Sequence, residues 1–187
     1  MNKLFAVVAV LLAVQISSAR VVRDAPASLA LGDLAKQAED AIGTLHSKFL
    51  EIVGVKNDNE FIKLLENQGR SYASKIQSYA KLLGDEAKAN AGKADKVFQG
   101  LQTRLTQTVD ELKSKNPEIF ANVEKFQGHL KAVLKDTEQF NAKLKEEGKV
   151  ISSNVEEVLK QIYDSTVQTA QKVANEIESN LKQKKTK

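Results

Sequence analysis

Residues 154–181 read NVEEVLKQIYDSTVQTAQKVANEIESNL. Val155, Val158, Leu159, Ile162, Thr166, Ala170, Val173, Ile177 and Leu181 recur at steps of three and four, which puts them on one side of a 3.6-residue helix. Glu157, Lys160, Asp164, Gln168, Lys172 and Lys182 fall on the other side. Asn154 is placed to cap the first turn while Glu157 reaches back, the capping-box pattern. A helix of this design cannot leave its apolar stripe in water; it needs partner helices or a lipid surface.

The same design recurs along the chain. A first helix starts near Gly32-Asp33, after an irregular lead-in over 24–30, and carries Leu34, Ala38, Ile42, Leu45, Phe49, Ile52 and Val53 before a stop at Gly54. Asn57 with Glu60 repeats the capping pattern ahead of Phe61, Leu64, Leu65, Tyr72, Ile76, Tyr79, Ala80 and Leu83. That second helix ends at Asn90-Ala91-Gly92 rather than at Gly84, because Asp85 to Lys88 are all compatible with helix. A third runs from about Lys93 through Val97, Phe98, Leu101, Leu105, Val109 and Leu112. Asn116-Pro117 closes it and can open the next, since proline suits the first helical position but not the interior. The fourth stripe is Ile119, Phe120, Val123, Phe126, Leu130, Val133, Leu134, Thr137, Phe140 and Leu144, with a turn between Gly148 and Asn154. The fifth helix is the opening stretch, followed by a basic tail over 182–187.

Period-two alternation is nowhere long enough for a strand, so the fold class is all-α. Short connections make successive helices antiparallel, which predicts an elongated up-and-down bundle of five long amphipathic helices with sequence neighbours side by side.

The N-terminus has a separate logic. Asn2-Lys3, an apolar run of 11 residues from Leu4 to Val14, and Ser17-Ser18-Ala19 describe a secretory signal peptide over 1–19. The run is too short for a bilayer of ~30 Å. Arg20-Val21-Val22-Arg23 reads as a pro-segment, leaving residues 24–187 as a single helix-bundle domain of a soluble, secreted protein. Loss of residues 1–23 removes Lys3, Arg20 and Arg23 and no acid, so the formal charge falls from +4 to +1. The residual charge gives no case for nucleic-acid binding. Cysteine is absent, so packing alone must hold the fold.

Chemistry-bearing motifs are sparse. His46 and His129 stand at no metal-ligand spacing, and there is no glycine-rich phosphate loop and no G-x-S-x-G elbow. The expectation is a non-enzyme with no catalytic residues, metal or cofactor. The stripes are imperfect: Gln68, Thr108, Thr137 and Thr166 lie on or beside apolar faces. Gly43, Gly69, Gly100 and Gly128 lie inside helices, each costing about 0.8–1 kcal/mol relative to alanine. With no disulfide to staple it, such a bundle is marginally stable and ready to open. Exposing a stripe of eight large apolar residues to water would cost more than ~10 kcal/mol, but on lipid one apolar neighbour replaces another. A lipid-surface binder is therefore the favoured class; a structural bundle that self-associates without binding lipid is the alternative.

Several short segments carry a resemblance. Arg23-Asp24-Ala25-Pro26-Ala27, Asn90-Ala91-Gly92-Lys93-Ala94, Glu111-Leu112 followed by Asn116-Pro117-Glu118, and Ser153-Asn154-Val155-Glu156-Glu157 together resemble insect apolipophorin-III. The resemblance implies an exchangeable apolipoprotein of the haemolymph, monomeric when lipid-free. It would bind the phospholipid and diacylglycerol surface of lipophorin particles and leave as lipid is unloaded. It also implies recognition of bacterial lipopolysaccharide in innate immunity. The binding surface in that family is the interior exposed by opening. Mapped onto this chain's own stripes it comprises Leu34, Phe49, Phe61, Leu65, Val97, Leu101, Phe126, Leu130, Val155 and Ile162.

Overall fold

The computed structural model describes residues 27–51, 59–89, 95–114, 122–147 and 152–185. They form five helices: α1 Ala27–Leu50, α2 Asn59–Ala89, α3 Asp95–Lys113, α4 Val123–Glu146 and α5 Ser153–Lys185. The longest, α5, has 33 residues and so spans about 50 Å at 1.5 Å per residue. No strand occurs among the described residues.

Each helix forms where its apolar residues keep the helical period, and local chemistry sets several ends. Asn122 caps α4 in an extended conformation (φ −129°, ψ 107°), its Oδ1 accepting from the amides of Glu124 at 2.8 Å and Lys125 at 3.4 Å. At the other end the Glu147 amide donates to the Lys143 carbonyl at 3.0 Å.

Several boundaries differ from expectation. Helix α4 begins at Val123, where Asn122 caps it, rather than at Asn116-Pro117, and α1 ends at Leu50 rather than running through Ile52 and Val53 to Gly54. Helix α1 begins at Ala27 rather than near Gly32, because Leu31 continues the stripe one turn before Ala35 and is itself buried. Helix α5 is capped by Ser152, whose Oγ accepts from the Val155 amide at 3.3 Å. Asn154 faces sideways instead and donates from Nδ2 to Glu86 Oε1 on α2 at 2.9 Å. Helix α5 also runs on to Lys185, taking in most of the segment read as a basic tail beyond the helix. As expected, α2 passes Gly84 and continues to Ala89. The signal peptide and pro-segment over 1–23, the stop at Gly54, Asn57, Asn90 to Ala94, Asn116-Pro117 with Ile119 and Phe120, and Gly148 to Ile151 lie outside the described residues.

Packing departs from a simple meander. Helix α1 packs chiefly against α5, with α4 on its other flank; it does not lie alongside α2. The helices close a ring in the order α1, α5, α2, α3, α4, and α4 also reaches across to α5. Successive helices still alternate in direction. Phe98 meets Phe140 while Glu111 meets His129, so α3 and α4 are antiparallel. Tyr72 meets Thr166 while Glu86 meets Asn154, so α2 and α5 are antiparallel as well. Helices α1 and α5, both odd-numbered, run parallel: Tyr163 lies by Leu31 and Ala35, and Lys48 by Glu178. The interior is one continuous core to which all five helices contribute.

Candidate lipid-binding surface

Of the ten interior positions named from sequence, Leu65, Phe126, Leu130 and Ile162 are fully buried, and Phe49, Phe61, Leu101 and Val155 are buried to within a few per cent. Leu34 and Val97 are half-buried at the margin of the same core. The fold thus brings all ten to one shared interior. Tyr163, Ser165 and Thr169 are buried too, although the stripe drawn along α5 passed beside them. A half-turn offset within a helix that faces several partners is the signal that would have found them: α5 touches α1, α2 and α4, so its apolar arc is wider than one stripe.

Threonine at core positions has a specific arrangement. Thr137 Oγ1 donates to the Val133 carbonyl at 2.7 Å and Thr166 Oγ1 to the Ile162 carbonyl at 2.9 Å. Both bonds stay within one helix, so both hydroxyls remain satisfied if the helices separate. Bonds between helices fall instead to tyrosines. Tyr72 Oη lies 2.8 Å from Thr166 Oγ1, and Tyr79 Oη 2.9 Å from Ser165 Oγ. A tyrosine that leaves such a partner is well suited to a lipid–water boundary, where its ring is apolar and its hydroxyl is wet.

Among the described residues, two buried side-chain atoms lack a protein hydrogen-bond partner: Gln127 Nε2 and Asn141 Oδ1, both on α4. Each such group costs about 1–3 kcal/mol. Gln127 uses its other amide atom, Oε1, with His46 Nδ1 on α1 at 3.2 Å. Ionic links between helices are mostly half-exposed, such as Arg104 Nη1 to Asp136 Oδ1 at 2.8 Å, and pairs of this kind contribute about 0–1 kcal/mol.

Burial perturbs several titratable groups. Burial pushes the phenols of Tyr72 and Tyr163 well up. The carboxyl of Glu138 is raised by burial and by the facing Glu39, and that of Asp164 by burial and by Glu157. The imidazole of His129 is lowered by burial, with Glu111 opposing the shift. These groups are dispersed over the bundle, and no group of three or more His, Asp or Glu among the described residues could hold a metal. No helix among them is long and apolar enough to cross a membrane.

The arrangement supplies extended apolar surface that is hidden in water and held by packing, hydroxyl bonds and weak ion pairs, with no cysteine in the chain. Comparison with curated proteins and with solved structures gives no match. A family model described as apolipophorin-III precursor (apoLp-III) matches residues 39–180, about three quarters of the chain. That family is one of lipid-binding apolipoproteins rather than of enzymes. The matched span runs from the middle of α1 to near the end of α5 and takes in the interior just described, and the chain belongs to the apolipophorin-III family.

Proposed function

We propose that the protein is a secreted, exchangeable apolipoprotein that is monomeric without lipid and opens its bundle to cover a lipid surface. In this reading the ten interior residues become the lipid-contacting face. The surface covered is that of lipophorin particles as they load diacylglycerol in the haemolymph, and the protein leaves when lipid is unloaded.

One observation supports this most: a core shared by all five helices, with Leu65, Phe126, Leu130 and Ile162 at its centre and no covalent cross-link around it. Transfer of that core to water is prohibitive at about 1.5–3 kcal/mol per large side chain, whereas transfer to lipid is close to neutral. Each helix keeps its own backbone hydrogen bonds during such a move. The intrahelical bonds of Thr137 and Thr166 are kept with them.

A role toward microbial lipids rests on the basic residues Lys182, Lys184, Lys185 and Lys187, which suit anionic headgroups. Neutralising these four lysines separates the two roles. Binding to zwitterionic lipid then persists while binding to lipopolysaccharide weakens.

The test is clearance of turbid phosphatidylcholine vesicles by the chain expressed from Asp24 onward. Clearance with retained or increased helicity is expected. No clearance and no binding would leave a structural bundle that self-associates, and would sink this reading.

A further inference from the structure

We propose that the bundle opens along the seam between α1 and α4, while the other four seams of the helix ring stay closed. The inference rests on the lipid-opening function above and assigns the line along which that opening runs.

The five seams differ in quality. Two grooves, of about 450 and 500 Å³, lie between α1 and α4. Ile42 and Leu134 line the first, and Leu31, Ala35 and Ala142 the second; Glu39 and Glu138 line both. The outer half of the seam is therefore open to solvent, while Leu31, Ile42 and Leu134 beneath it stay buried. At its middle Glu39 and Glu138, two carboxylates of like sign, face each other from the two helices, and Glu138 is driven toward its neutral form by burial and by Glu39. The lysines around them, Lys36, Lys131, Lys135 and Lys145, line the grooves.

The two partnerless buried atoms belong to the same seam. Asn141 lines the second groove, and Gln127 points its amide at His46 of α1. Parting α1 from α4 breaks the His46–Gln127 bond and opens the groove that Asn141 lines, which frees both side-chain amides to turn to water. Elsewhere the seams are laced. Between α2 and α5 stand Tyr72 with Thr166, Tyr79 with Ser165, Lys75 with Gln168, and Asn154 with Glu86. Between α3 and α4 stand Arg104 with Asp136 and Gln139, His129 with Glu111, and the edge-to-face rings of Phe98 and Phe140. The α1–α5 and α2–α3 pairs are the most extensive in the molecule.

Connectivity permits this motion. Helices α1 and α4 are not consecutive, so no loop bridges the seam directly. With the seam parted, the core residues Phe126, Leu130, Leu134 and Ile42 face the gap.

Because the chain has no cysteine, paired cysteines can be tethered without interference. Glu39→Cys with Glu138→Cys, joined by a reducible bis-maleimide, locks the α1–α4 seam; Ile42→Cys with Leu134→Cys is a second lock on the same groove. Lys75→Cys with Gln168→Cys locks the α2–α5 seam. Phosphatidylcholine vesicle clearance is measured before and after reduction, with helicity checked by circular dichroism. The expected result is loss of clearance with either α1–α4 tether, full recovery on reduction, and unimpaired clearance with the α2–α5 tether. Clearance that survives both α1–α4 tethers, or is lost equally with the α2–α5 tether, overturns the seam assignment while lipid binding stands. Failure of the untethered protein to clear vesicles overturns the lipid-opening function and this inference with it.

Discussion

Tyr72 Oη lies 2.8 Å from Thr166 Oγ1 between α2 and α5, and both side chains are fully buried. The Thr166 hydroxyl has one proton, and its bond to the Ile162 carbonyl uses it, so Tyr72 is the donor of the pair. The two partners are therefore not equivalent. Thr166→Val leaves a buried phenol unsatisfied and is expected to cost about 1–3 kcal/mol. Tyr72→Phe removes only the donor, while Thr166 keeps its backbone bond, and is expected to cost about 0.5–1.5 kcal/mol. Urea unfolding of the two variants gives the order; a larger loss for Tyr72→Phe would contradict the donor assignment.

The glycines at 43, 100 and 128 are exposed positions within α1, α3 and α4 whose added Cβ would meet nothing within 4 Å. Each Gly→Ala replacement is expected to stabilise the bundle by about 0.8–1 kcal/mol, and the triple variant by roughly their sum, since the sites are well separated. Gly84 is different: its Cβ would sit 2.7 Å from Gln102 Nε2, so Gly84→Ala requires that side chain to move and gains less. Thermal unfolding of the four single variants separates these cases. If marginal stability assists opening, the triple variant also clears vesicles more slowly than the parent.

His129 provides a pH test with a defined sign. Burial lowers its folded-state pKa below the unfolded value of about 6.5, so the folded state prefers the neutral ring. The associated stability is present above that unfolded value and is lost as the pH falls through it toward the folded pKa. Glu111 at 3.2 Å limits the loss by favouring the charged ring. His129→Gln removes this component, so the stability difference between parent and variant is expected to shrink as pH falls from 7.5 to about 5. A difference that does not vary with pH would contradict the assignment.

Glu138 has the opposite sign. Its folded-state pKa is raised, so its ionised form opposes the closed α1–α4 seam at neutral pH, and protonation relieves that as pH falls. Glu138→Gln is expected to stabilise the bundle at pH 7.5 and to match the parent once Glu138 is protonated. Denaturant midpoints at the two ends of the range read this directly.

Much of the fold was legible because helical periodicity reports burial. Most described residues of the stripes of α2, α3 and α4 are buried, with Leu64, Tyr79 and Val97 at the core margin, and α2 passes Gly84 because the residues beyond it still favour helix. What periodicity cannot report is which helix meets which. A stripe shows that Leu45 needs cover, not that α5 provides it, so the separation of α1 from α2 was invisible. The cap of α5 was misplaced for a local reason: Ser152, Ser153 and Asn154 are three good capping residues in a row, and the bond from Asn154 to Glu86 depends on a tertiary neighbour. The threonines at core positions were visible as flaws in the stripes. That Thr137 and Thr166 satisfy themselves within their own helices required the structure.

The central claim is that the buried interior becomes the lipid-contacting face. The chain contains no tryptophan, so Phe126→Trp places a single reporter at a fully buried position. The measurement is quenching of its fluorescence, in protein–phosphatidylcholine discs, by lipids that carry a nitroxide on the acyl chain. Strong quenching on disc formation, absent for the lipid-free protein, is the predicted result. A reporter that stays unquenched in lipid-bound protein would show the core still closed, and would contradict the opening account.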